Sequence, residues 1–160
     1  MSLRSAVEIR RSRIHRRGLF AVRRFARGEP IVEYTGERIS HQEAYDRYAH
    51  SPSTRRRTYL FTLDRSSVID ATKSTSVARF INHSCLPNSR SVLEGKRVFI
   101  EAIRTILPGT EITYDYHLEV ERDSQRILKR LYECHCGSTA CRGTICQQPK
   151  KRRSRANPDH

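Results

Sequence analysis

Three cysteines crowd one short stretch. Cys134-His135-Cys136-Gly137-Ser138-Thr139-Ala140-Cys141 reads C-x-C-x4-C. Thiolates this close suit a tetrahedral ion such as zinc but leave it one ligand short of four. Cys85, Cys146 and His135 are the candidates for the fourth, and nearness along the chain favours Cys146. A second group, Asn82-His83-Ser84-Cys85, follows the apolar run at Val77, Ala78, Phe80 and Ile81. Asn, His and Ser side by side offer donors and acceptors to a small polar ligand; the plainer alternative is a helix C-cap at Asn82 followed by a loop. The third group is Tyr114-Asp115-Tyr116, with Tyr34 far upstream. Tyrosines can line an apolar channel with polar ends, although each one taken singly is ordinary strand packing. The chain has no G-x-G-x-x-G and no P-loop, so the common nucleotide folds gain no support.

The chain that must position these groups is short and basic. Its 160 residues suggest one domain with a modest core, and 36% hydrophobic residues suffice to build one. The net charge of +14, with basic clusters at 10–17, 55–57 and 150–155, favours an acidic partner, nucleic acid included; a solvated basic face is the bland alternative. No apolar run is long enough to span a membrane and no secretory leader is visible, so the expected location is intracellular. Five cysteines are an odd number, which in a reducing compartment favours metal over disulfide.

Residues 6–10 and 19–22 read as strands, with Gly18 at a turn where backbone can approach a ligand closely. Residues 30–35 form a short strand closed by Gly36. Ser40 with Glu43 reads as a capping box opening a helix over 41–50, followed by a polar loop over 51–57. Residues 58–63 and 68–70 are strands across a turn at 64–67. A helical segment over 75–81 leads into Asn82. Residues 90–93 and 97–103 flank Glu94-Gly95-Lys96 as a hairpin, Pro108-Gly109 turns, and 111–116 is a strand. Residues 119–132 fit a short amphipathic helix, and the chain from 147 onward reads as a disordered tail. Many short strands, Gly and Pro turns and little helix define a mainly β, α+β domain with small sheets.

These segments resemble one known family in order. Arg79-Phe80-Ile81-Asn82-His83-Ser84-Cys85-Leu86-Pro87-Asn88 resembles the RFINHSCxPN motif of SET-domain protein-lysine methyltransferases. Ser12–Ala21 resembles its SxIHGRGLFA stretch, departing at Arg16, where the family has glycine. Glu33–Glu37 resembles EYxGE, the strands at 58–70 its YxFxLD and IDA elements, and Ile112–Tyr116 its LTYDY. The cysteine stretch resembles the post-SET motif, and the nearest pattern is that of trithorax-type SET domains.

The resemblance implies a β-clip fold with knot-like threading of 111–116 under a loop containing 82–85. It implies a SET domain over 5–117, a post-SET zinc segment over 118–146 and a basic tail over 147–160. The implied activity is transfer of methyl from S-adenosylmethionine to a lysine side chain of a protein, leaving S-adenosylhomocysteine. Tyr116 takes the catalytic position, with Tyr34 and Tyr114 lining the lysine channel. Tyr114 implies mainly monomethylation with slower dimethylation. His15, Arg17, Gly18, Leu19, Tyr59, Arg79, Asn82 and His83 border the methyl donor. One structural zinc takes Cys85, Cys134, Cys136 and Cys141, leaving Cys146 free. The implied partner is a lysine-bearing protein or peptide, histone tails being the family's best-known targets; the compartment is the nucleus in a eukaryote and the cytoplasm in a bacterium. Composition leaves a rival from another class, a basic zinc-containing nucleic-acid-binding module with contacts through the basic surface and tail. A SET fold that binds its cofactor without activity is a third reading.

Overall fold

The computed structural model describes residues 6–48, 59–118 and 132–147. Three small sheets and one short helix make up this part of the chain, a mainly β fold as expected. Strands β1 (Val7–Arg11) and β2 (Arg17–Ala21) form an antiparallel hairpin that places Gly18 opposite Arg10. Gly18 is therefore a strand residue and not the turn; the turn carries its positive φ at Arg16, 41°. Strand β3 (Pro30–Tyr34) belongs to a second sheet and β4 (Glu37–Ser40) to a third.

Helix α1 (His41–Tyr48) starts where Ser40 Oγ accepts the Glu43 amide at 3.0 Å. The reciprocal half of the box is missing, because Glu43 pairs with Arg47 one turn on. Strands β5 (Leu60–Thr62) and β6 (Ser67–Asp70) complete the third sheet in the order β4-β6-β5. The loop expected at 51–57, most of the helix expected at 119–132 and the tail after 147 lie outside the described residues.

The segment expected as a helix at 75–81 is a single 3-10 turn, Val77–Phe80. Ser76 does not cap it; its hydroxyl donates to the Glu33 carbonyl instead. The chain has only four residues before it must join strand β7 (Asn82–His83), too few for an α-helix with tertiary support. Strands β8 (Ser89–Glu94) and β9 (Arg97–Ala102) form the expected hairpin, with Gly95 at φ 60° in its turn, and β9 pairs with β3. Strand β10 (Glu111–Tyr114) runs between β2 and β7, antiparallel to the first and parallel to the second.

That central position of β10 organises the site. Ile112 lies opposite Leu19, and both are fully buried in a core shared with Ile31, Ile81, Val98, Ile100 and Ile106. Asn88 stands in for a strand: its Oδ1 accepts the Thr113 amide at 2.9 Å and its Nδ2 donates to the Glu111 carbonyl at 2.8 Å. Pro87 ends the preceding polar run, and Asn88 stitches the chain back to β10.

Gly36 is a second constraint. A Cβ there would lie 2.4 Å from the carbonyl oxygen of Asp70, which is backbone and cannot swing away. Gly36→Ala is expected to destabilise the fold by about 1–3 kcal/mol, read as a lowered thermal midpoint. An unchanged midpoint would show that β4 and β6 separate more easily than their pairing indicates.

Candidate active site and cysteine cluster

Asn82 sits on β7 in register with Thr113 of β10. Its Nδ2 faces three acceptors: the carbonyls of Arg17 at 3.0 Å and His15 at 3.4 Å, and Glu111 Oε1 at 2.8 Å. Three oxygens around one amide group fix which end is nitrogen and leave Oδ1 as the acceptor end. Glu111 also accepts from Ser12 Oγ at 2.8 and 2.9 Å, so one carboxylate joins β10, β7 and the loop after β1. It also explains Gly18: a Cβ on that residue would lie 2.2 Å from Glu111 Oε1. Neither Ser12 nor Glu111 was among the residues singled out as a candidate from the sequence, although Glu111 directly precedes the ITYDY stretch.

His15 and Arg16 are exposed in the same loop. Partial burial, then the charges of Arg16 and His135, hold His15 below the usual imidazole range. Leu19 is fully buried, so its side chain belongs to the core rather than to a surface cleft. Arg17 and Arg79 both lie over the Phe80 ring, at 4.4 and 4.8 Å from its centroid. Arg79 also donates through Nη1 to the Ala71 and Thr72 carbonyls, and its guanidinium lies 5.6 Å from the Tyr59 centroid.

Tyr34, Tyr59, Tyr114 and Tyr116 lie close enough to influence one another. Tyr116 donates its hydroxyl to the Ile81 carbonyl at 2.8 Å, and its ring lies 4.9 Å from Tyr114 and 5.3 Å from His83. Tyr34 donates its hydroxyl to the Tyr59 carbonyl at 3.0 Å. Burial, reinforced by the other phenols, pushes Tyr34 and Tyr116 well above the usual tyrosine range, and burial alone raises Tyr114. Tyr116 as a residue is 37% exposed, so the burial that raises it is that of its hydroxyl end. All three stay neutral near pH 7. Strand β10 stops at Tyr114 rather than reaching Tyr116, because the Asp115 carboxylate turns back onto the His117 amide at 3.1 Å.

His83 is almost fully buried, and that burial lowers it to about 4 despite the nearby Asp115, so its ring is neutral. Nδ1 accepts the Tyr116 amide at 3.2 Å; the ring proton is therefore on Nε2, directed at Cys85 Sγ 3.4 Å away.

The sulfurs of Cys85, Cys134, Cys136 and Cys141 all lie within 4.8 Å of one another. Cys85 and Cys134 are 3.7 Å apart, far beyond a disulfide bond. Tetrahedral zinc–thiolate bonds of about 2.3 Å imply sulfurs about 3.8 Å apart, so this donor set fits such an ion. Cys146 is buried outside the group, its backbone bridging Leu118. His135 is exposed, with Nε2 3.9 Å from Glu133. Of the three fourth donors that spacing left open, the structure brings Cys85 to the other thiols.

The SET domain family model matches residues 16–117, and the chain belongs to that family. Among curated relatives, "Histone-lysine N-methyltransferase, H3 lysine-4 specific" of Neurospora crassa is 42% identical over 144 residues, covering 87% of this chain and 11% of that protein. The protein of the same description from Candida albicans is 43% identical over 145 residues, covering 87% and 14%. "Histone-lysine N-methyltransferase set-2" of Caenorhabditis elegans is 40% identical over 149 residues, covering 87% and 9%. The chain thus spans about a tenth of the length of the curated relatives it matches.

Proposed function

We propose that this chain is the catalytic domain of an S-adenosylmethionine-dependent protein-lysine N-methyltransferase, with a histone tail as substrate. The observation that carries the reading is the Tyr116 hydroxyl, bonded to the Ile81 carbonyl among Tyr114 and Tyr34, directly beside Asn82. The relatives' descriptions name histone H3 lysine 4, which makes an H3 N-terminal peptide the first substrate to test. A nuclear location accords with that substrate. No helix among the described residues is long and apolar enough to cross a membrane.

When bound, S-adenosylmethionine supplies an electrophilic methyl on a cationic sulfur. Asn82 Oδ1, the acceptor end of the amide whose Nδ2 is already committed, would accept from the donor's ammonium. The Arg17–Phe80–Arg79 group offers positive charge to its carboxylate. The tyrosines cannot serve as bases, since burial holds each above its ordinary range. The lysine must therefore lose its proton to water, and an apolar aromatic channel lowers its pKa from about 10.4. Tyr116 spends its proton on Ile81 and keeps lone pairs to orient the neutral amine, so catalysis is mainly positioning. Cys85, Cys134, Cys136 and Cys141 would hold a zinc ion, and their thiolates would thereby fasten the segment after 132 to the end of β7.

Titration calorimetry should detect S-adenosylmethionine binding. Asn82→Ala should weaken it by about tenfold or more, because a hydrogen bond to a charged group is lost and the 12–16 loop loses its anchor. Absence of donor binding together with tight DNA binding would support the nucleic-acid module instead.

The number of methyl groups depends on Tyr114. It is buried, 4.9 Å from the Tyr116 ring, and a phenol there can hold a water where a methylated amine must turn. Clearing that water costs up to ~2 kcal/mol, enough to slow a later transfer about tenfold or more. The unmodified chain should give mainly monomethyl-lysine, with slower dimethylation. Tyr114→Phe should raise di- and trimethyl products in peptide mass spectrometry with the first transfer nearly unchanged. Efficient trimethylation by the unmodified chain would contradict this.

A further inference from the structure

Tyr116 is held at three points, and two of them lead to the cysteine cluster. Asp115 Oδ1 accepts the His117 amide at 3.1 Å, closing a turn with Tyr116 at its centre and His117 at φ 48°. That carboxylate is gripped from outside by Arg142, whose Nη1 and Nη2 donate to Oδ2 at 2.5 Å and Oδ1 at 2.9 Å. Asp115 is 12% exposed and Arg142 28%, so the pair is screened far less than a surface ion pair. The Arg142 amide donates to Cys85 Sγ at 3.3 Å. On the other side, the Tyr116 amide donates to His83 Nδ1, and Nε2–H of the same ring faces the same Cys85 sulfur. One sulfur of the cluster is thus connected to residues 115 and 116 by two separate paths.

We propose that Arg142 is a positioning residue for methyl transfer: by clamping Asp115 it sets the turn that aims Tyr116, and so couples the placement of Tyr116 to the cysteine cluster. The inference rests on the methyltransferase reading of Tyr116. It goes beyond tethering, in which the cluster would merely hold a wall of the site in place. A clamp acts on the geometry of one hydroxyl, so its loss should lower turnover while sparing donor binding and metal content.

The test is Arg142→Ala in the full chain. A misplacement of about 1 Å can cost on the order of a hundredfold, so kcat should fall about 30-fold or more with KM for the donor within about threefold. Elemental analysis should still find the metal, and calorimetry should still find S-adenosylhomocysteine bound. Millimolar methylguanidinium, which can occupy the vacated site and pair with Asp115, should recover part of kcat. Arg142→Lys, able to make only a single-point contact, should lie between.

A second readout does not need turnover. With carbon-13-labelled tyrosine, the Tyr116 ring resonance, assigned from Tyr116→Phe, should shift in Arg142→Ala and move back with methylguanidinium. An unchanged kcat and ring resonance would overturn the proposal. So would a kcat lost together with the metal and not recovered by methylguanidinium. If the unmodified chain methylates nothing, the methyltransferase reading fails, and the ring resonance still decides whether Arg142 places Tyr116.

Discussion

Tyr116→Phe is expected to slow every methyl transfer by about a hundredfold or more, with donor affinity within about twofold. The hydroxyl is fixed by the Ile81 carbonyl at 2.8 Å, and its ring is packed against Tyr114 and His83. Phenylalanine keeps the ring contacts and removes only the oxygen. Under the proposed function the oxygen removed is the one that orients the amine, and such a group acts more strongly in the transition state than in the bound substrate. Single-turnover kinetics with a peptide substrate, alongside calorimetry of the donor, separate the two effects. An equal loss of donor affinity would mean that the phenol serves the cofactor; an unchanged rate would remove Tyr116 from the reaction.

Loss of the metal should be as severe. Cys85→Ser is expected to empty the site and abolish methylation, while Cys146→Ser should leave both intact. The four sulfurs come from the loop after β7 and from the chain at 134–141, so an ion bound among them would close a loop of about fifty residues. None of the four belongs to the main apolar core, which is built from the three sheets. Removing the ion should therefore disorder the segment after 132 before it melts the core. Elemental analysis, activity and far-ultraviolet circular dichroism read these outcomes separately. Metal retained in Cys85→Ser but lost in Cys146→Ser would overturn the ligand assignment.

Much of this arrangement was legible because its signals are contiguous. The β8–β9 hairpin, the Ser40 cap and the cysteine spacing each lie within a few residues. The residues that couple these pieces were not legible, since their partners are distant: Ser12 and Glu111 are 99 residues apart, and Asp115 and Arg142 are 27 apart. A charged residue next to a motif reads as a solvated face until folding supplies its partner. Gly18 illustrates the same limit. Glycine there signals close approach, but the approaching group is the Glu111 carboxylate and the backbone is strand. Strand character over 111–116 would place Tyr114 and Tyr116 on one face. Asp115 breaks that strand through its own side chain, and the two rings meet by packing.

The most direct test of the central claim is mass spectrometry of methyl transfer. The full, metal-loaded chain is incubated with S-adenosylmethionine, a histone H3 N-terminal peptide containing lysine 4, and a panel of unrelated proteins. A methyl group on a lysine of the H3 peptide, mainly a single one, is the expected product, and it should be lost in the Tyr116→Phe sample. A metal-loaded chain that binds the donor yet methylates no lysine in the peptide or the panel would contradict the central claim.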